Sequence, residues 1–138
     1  MDPNKILFIA DDDEEDRLLI KDAFEECNFP GRIVFGENGE EVMDYLNNQG
    51  KFADEKEFPA PSIILLDLNM PKKDGRETLQ EIKSNPDLKK IPTIILTTSN
   101  SNKDVSLSYS LGANSYICKP ATFSALIDIA KTLSLIHI

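Results

Sequence analysis

The chain has 138 residues, of which 41% are hydrophobic and 28% charged. That is the length and mix of one globular domain with its own core, which excludes wholesale disorder. Fifteen basic against twenty-four acidic side chains leave a formal charge of −9, which repels nucleic acid and anionic membranes, so neither is expected as a partner.

In chain order, Ile6-Leu7-Phe8-Ile9 is a short continuous apolar run of the kind found in a fully buried strand. Six consecutive acids follow, Asp11 to Asp16. A run of this kind usually marks a solvated tail, but here Ile20, Ala23, Phe24 and Cys27 recur behind it at helical spacing. The acids therefore occupy a strand-to-helix turn. Asp13 to Asp16 are explained as cap and first-turn residues favoured by the helix dipole, whereas Asp11 and Asp12 come too early for that service.

Arg32 to Gly36 reads as a second strand. Asn38-Gly39-Glu40-Glu41 has the form of a capping box, opening a helix with Val42, Tyr45 and Leu46 on its buried face. Residues 47–61 lack periodicity and read as a surface excursion in preference to a segment used for recognition. Ser62 to Leu66 is a buried strand, Asp74 with Glu77 starts a helix carrying Leu79 and Ile82, and Pro92 to Leu96 is the next strand. Ser101 with Asp104 opens a shorter helix closed by Gly112, a candidate left-handed cap. Ser115 to Cys118 is the last strand; Phe123, Leu126, Ile127, Ala130 and Leu133 mark the last helix. Five strands alternating with five helices predict an α/β fold, a doubly wound parallel sheet covered on both faces.

No apolar run is long enough to span a bilayer and no secretory signal is visible at the start. Cys27 and Cys118 lie far apart and outside any CxxC spacing, so they read as core-filling thiols of a reducing cytoplasm. A cytoplasmic location is expected.

In an open parallel sheet, ligands sit beyond the carboxyl ends of the strands. The first strand ends in Asp11-Asp12, the third in Asp67, the fourth in Thr97 and the fifth in Lys119. Three carboxylates, a hydroxyl and an ammonium are thereby expected on one rim. Carboxylates packed together raise one another's pKa unless a cation neutralises them. Mg²⁺ suits the part, being held by one or two carboxylates plus a phosphate. Lys119 and Thr97 offer donors to that phosphate. The turn from Asp67 to Pro71 offers backbone groups to both, and Asp67 can act as nucleophile in phosphoryl transfer.

With Asp11-Asp12 after ILFIA, LLDLNMPKKDG over Leu65 to Gly75, Thr97-Thr98 after TIIL, and Lys119-Pro120 after SYIC, the whole chain resembles the receiver domain of two-component response regulators, the chemotaxis-Y-like fold. That resemblance implies strand order 2-1-3-4-5 and a single receiver domain over residues 1–138, without an effector domain. It implies Asp67 as phosphoacceptor, Asp12 as a direct Mg²⁺ ligand supported by Asp11, and Asn69 as a ligand through its carbonyl. Thr97 and Lys119 would hold the phosphoryl group, and Tyr116 would be the aromatic that swings inward with Thr97. The lysine–proline bond is often cis in such domains. Ala10 and Ser99 are departures at positions that tune phosphate lifetime.

More narrowly, LNMPKKDGRETLQEIK, LKKIPTIILTTS and LGANSYICKP resemble the small stand-alone regulators paired with phytochrome-type histidine kinases. Such a protein is expected to act as a phosphorylation switch, not a turnover enzyme, by docking to a downstream protein whose identity the sequence does not reveal. A degenerate receiver acting only as a binding module is the alternative. Dehalogenase-like phosphatases share the strand-end aspartate, but carry a second acid where this chain has Asn69. The apolar tail, Leu133 to Ile138, either packs on its own sheet or joins a homodimer through the last helix. His137, the only histidine, is not expected to carry phosphate.

Overall fold

The computed structural model describes residues 4–135. Its strands are β1 (Ile6–Ala10), β2 (Arg32–Gly36), β3 (Ile63–Leu66), β4 (Thr93–Thr97) and β5 (Ser115–Cys118). They alternate with α1 (Glu14–Glu26), α2 (Gly39–Leu46), α3 (Gly75–Ser84), α4 (Asn102–Ser110) and α5 (Phe123–Ser134). All strand pairs are parallel and the order is β2-β1-β3-β4-β5, as expected from the sequence.

The alternation of side chains along each strand divides the core in two. Leu7, Ile9, Ile63, Leu65, Ile94 and Leu96 meet Ile20, Ala23 and Phe24 of α1 and Ala130 and Leu133 of α5. Phe8, Ala10, Ile64, Leu66 and Ile95 face the other way, onto Val42 and Tyr45 of α2 and Leu79 and Ile82 of α3. Every residue of β1, β3 and β4 is buried, at roughly 1.5–3 kcal/mol for each large apolar side chain. The central strands are therefore fixed along their length, and so are the residues that leave their ends.

The helix starts follow the cap chemistry. Asp13 accepts from the N–H groups of Glu15 and Asp16, Asp74 from Glu77, Ser101 from Asp104 and Thr122 from Ala125. Asn38 accepts from Glu41 N–H at 2.9 Å, but the Glu41 carboxylate reaches back to Glu37, one residue before the cap that a capping box would engage. Gly112 takes the left-handed conformation after α4, with φ +108°. β4 begins at Thr93 instead of Pro92, since proline has no N–H for the ladder; the Pro92 carbonyl still accepts from Ile64.

Three expectations are refined by the structure, and the burial of Cys118 is contradicted. Residues 47–61 are a surface excursion with an anchor: most of them are exposed, but a 3₁₀ turn at Gly50–Phe52 drives Phe52 into the core at 4% exposure. Its ring packs on Tyr45 and on Phe58, each at 5.1 Å between centroids, and Tyr45 also meets Phe8 at 4.7 Å. The Tyr45 hydroxyl donates to the Pro59 carbonyl, and the Asn48 amide donates to the carbonyls of Phe52 and Phe58, so polar atoms tie the loop down as well. Single aromatics scattered through a polar stretch carry no periodicity, which hides their burial from the sequence. Of the cysteines, Cys27 is half-buried and packs against the α1–α5 core, whereas Cys118 is exposed and fills no core; both are free thiols. Lastly, Leu133 packs into the core of its own chain and Leu135 is 74% exposed, while residues 136–138, with His137, lie outside the described residues.

If the Phe52 ring is part of the core, Phe52→Ala lowers unfolding stability by about 3–5 kcal/mol in urea titration. A change within about 0.5 kcal/mol would mean that Phe52 does not anchor the 47–61 loop to the core.

Candidate functional site

Two strand ends carry the acids to the rim. Asp11 extends the β1 ladder, donating its N–H to the Gly36 carbonyl, and its side chain is buried. Its Oδ1 accepts from Asp13 N–H at 3.0 Å. Asp12, next in the chain, is exposed. Asp67 extends β3 by donating its N–H to the Ala10 carbonyl, and it is 6% exposed. Carboxylate oxygens of Asp11, Asp12 and Asp67 lie within 4.8 Å of one another.

The turn after Asp67 is pinned from below by buried Leu68 and Met70. The Leu68 carbonyl accepts from Gly75 N–H at 2.9 Å, drawing the start of α3 against the turn. A Cβ on Gly75 would stand 2.1 Å from the Asp67 carbonyl oxygen, so this approach requires glycine. The turn leaves Asn69 exposed, with its N–H donating to Asp67 Oδ1 at 3.2 Å.

Thr97 is the last residue of β4 and fully buried. Its hydroxyl donates to Asp67 Oδ1 at 2.8 Å. Lys119 follows β5 and donates its N–H to the Thr97 carbonyl. The Lys119 ammonium stands 3.0 Å from Asp67 Oδ2, 2.6 Å from Asp11 Oδ2 and 2.8 Å from Asp16 Oδ2. No cis peptide occurs among the described residues, so the Lys119–Pro120 bond is trans.

Burial alone would pull the ammonium of Lys119 down, but its bonds to Asp11, Asp16 and Asp67 outweigh that and hold it above the ordinary lysine range. Burial pushes the Asp11 carboxyl up, against the opposing pull of Lys119 and the Asp13 N–H, and Asp67 adds to the rise. A buried acid held above its usual range beside two further carboxylates is a hard-oxygen donor set deficient in positive charge. That set fits a divalent cation such as Mg²⁺ or Mn²⁺.

Tyr116 of β5 is half-buried against the α2–α3 side of the core, and its hydroxyl donates to the Ser99 carbonyl at 2.8 Å. Its own N–H donates to the Tyr109 hydroxyl of α4. The Ser99 hydroxyl donates to Asp104, which also receives two bonds of 2.9 Å from Arg76 of α3. The Arg76 guanidinium, and secondarily the Ser99 hydroxyl, hold the Asp104 carboxyl below its usual range. Thr97 and Tyr116 are thus joined to the start of α4 through Ser99.

The rim accordingly gathers Asp11, Asp12, Asp67, Asn69, Thr97 and Lys119, with Tyr116 one short step away. Sequence reasoning missed Asp16, assigned to the helix first turn alone. It does lie in that turn, but within a run of six acids nothing in the sequence sets it apart. The pairing of Arg76 with Asp104, 28 residues apart, left no signal either.

The response regulator receiver domain model matches residues 7–131. Response regulator Rcp1 of Synechocystis is 38% identical over 129 residues, 94% of this chain and 86% of that protein. Among solved structures, the phosphorylated cyanobacterial phytochrome response regulator RcpA superposes with TM-score 0.85 at 43% identity, covering 94% of this chain and 91% of that one. The Mn²⁺-bound form of Rcp1 superposes with TM-score 0.83 at 37% identity, covering 94% and 91%. The chain belongs to the response regulator receiver domain family. Its acidic rim is the feature that suits such a domain to phosphoryl acceptance in two-component signalling.

Gly75→Ala pushes the start of α3 away from the Asp67 turn. We expect a loss of about 2–3 kcal/mol in urea unfolding together with weaker divalent-cation binding in calorimetry. An alanine variant that matches the wild type in both would refute the close-approach argument.

Proposed function

We propose that Asp67 accepts a phosphoryl group from the phosphohistidine of a sensor histidine kinase, and that Thr97 and Lys119 then hold it. The observation that carries this reading is the division of donors on one buried carboxylate: the Thr97 hydroxyl on Oδ1 at 2.8 Å and the Lys119 ammonium on Oδ2 at 3.0 Å. Donors preset on the nucleophile stand beside the oxygens that a phosphoryl group brings. In the transfer an Asp67 oxygen forms the new bond to phosphorus, the P–N bond of the phosphoimidazole breaks, and its electron pair returns to the ring nitrogen. Asp11, Asp12 and Asp67 would hold Mg²⁺, with the Asn69 carbonyl as a further ligand, and the ion neutralises charge on the phosphoryl oxygens. The Mn²⁺-bound Rcp1 structure supports a divalent ion in this role.

A phosphoryl group on Asp67 gives the Thr97 hydroxyl a new acceptor. Any movement of Thr97 reaches Tyr116 and α4 through the Ser99 carbonyl, and this is the element that reads out modification. In this reading the protein is a cytoplasmic switch, acting on a downstream protein instead of nucleic acid or membrane. It returns its phosphate slowly by hydrolysis and is not a turnover enzyme, since Asn69 stands where a phosphatase would need a second acid. The similarity to RcpA and Rcp1 supports a kinase of the phytochrome type. Exposed Phe123 and Leu135, at 41% and 74%, support a homodimer through α5.

Incubation with Mg²⁺ and acetyl phosphate or phosphoramidate is expected to place one base-labile phosphate on each wild-type chain and none on Asp67→Asn. Failure to incorporate phosphate, and failure to bind beryllofluoride, would instead make the domain a binding module. For the dimer, sedimentation equilibrium at high concentration is expected to give twice the chain mass with beryllofluoride present; a monomer with and without it contradicts that part of the reading.

A further inference from the structure

The Lys119 ammonium has three N–H donors, and three carboxylates take them: Asp11 at 2.6 Å, Asp16 at 2.8 Å and Asp67 at 3.0 Å. Two of these, Asp11 and Asp67, belong to the group whose oxygens converge within 4.8 Å with Asp12. The third does not. Lysine and a divalent cation therefore compete for the same two side chains, and an ion can take them fully only if the ammonium lets go.

Asp16 is built to receive it. Its backbone is fixed in the first turn of α1 by a bond from its N–H to the capping Asp13 carboxylate. Its carboxylate approaches Lys119 from the α1 side, while Glu14 and Glu15 of the same turn make no ion pair among the described residues. Beside the pair lies a cleft of about 60 Å³, lined by Asp16, Ile20, Leu96, Lys119, Pro120 and Leu126. The lysine side chain is only 13% exposed, so an ammonium stripped of two carboxylates meets only the few waters that this cleft holds, whereas Asp16 is 34% exposed and can move with it.

We propose that Asp16 is a positioning residue that retains Lys119 when a divalent cation engages Asp11 and Asp67, lowering the cost of cation entry. The inference rests on the reading above that those carboxylates hold the ion. Asp16 acts through Lys119 and is not itself a ligand.

The test is the Mn²⁺ affinity of the full chain, measured by calorimetry and by electron paramagnetic resonance of free Mn²⁺, for wild type, Asp16→Asn, Lys119→Met and the double variant. Circular dichroism checks that each is folded. Lys119→Met removes the competing cation and is expected to bind Mn²⁺ more tightly than wild type. Asp16→Asn is expected to weaken binding about three- to tenfold, the scale of one partly exposed ion pair. In the Lys119→Met background the same substitution is expected to change affinity by less than about twofold, because its partner is gone. Unchanged affinity in Asp16→Asn would overturn the proposal, and so would equal weakening in both backgrounds, which would make Asp16 merely one more negative charge near the ion. A wild-type chain that binds no Mn²⁺ would overturn the metal reading itself, and this proposal with it.

Discussion

Everything at the rim turns on one ammonium among carboxylates. Lys119 reaches Asp11, Asp16 and Asp67 from the end of the last strand, and it supplies the positive charge that lets acids from three parts of the chain lie together. Coulomb repulsion among Asp11, Asp12 and Asp67 would otherwise push them apart or protonate them. Burial raises the Asp11 carboxyl, and Lys119 does not fully offset that rise. Three converging carboxylates with one ammonium among them leave the rim short of positive charge, which makes it attractive to a divalent cation.

The sheet is what makes such an unfavourable arrangement tolerable. β1, β3 and β4 are buried on both faces, and parallel pairing keeps their carboxyl ends level: Ala10 beside Leu66, Thr97 beside Cys118. Asp11, Asp67 and Lys119 each continue a backbone ladder for one residue past its strand. Their side chains are therefore aimed by the core and not by loop conformation, which is how a site can be held in place with few contacts of its own. From there the path outward is short. Thr97 touches Asp67, and Ser99, two residues on, holds Tyr116 by its carbonyl and Asp104 by its hydroxyl. Arg76 ties that same Asp104 back to α3, so the start of α4 is joined to the helix that follows the Asp67 turn.

Much of this was legible in the sequence because it is periodic or terminal. Continuous apolar runs gave the buried strands, cap residues gave the starts of the first four helices, apolar spacing alone gave the fifth, and the residue ending each run gave Asp11, Asp67, Thr97 and Lys119. What stayed hidden lacks period. Phe52 and Phe58 sit alone in a polar stretch, and only their packing on Tyr45 shows that the stretch is anchored to the core. Asp16 is one acid among six, distinguished only by an approach across 103 residues. Arg76 and Asp104 are ordinary helix-surface charges until the two helices are seen side by side.

The position of a bound cation tests the charged rim most directly. Anomalous diffraction from a crystal of this protein soaked in Mn²⁺ is expected to give a single strong peak in contact with carboxylate oxygens of Asp11, Asp12 and Asp67, at about 2.0–2.4 Å. A peak elsewhere on the molecule, or none at saturating Mn²⁺, would contradict the claim that these side chains form one charged site.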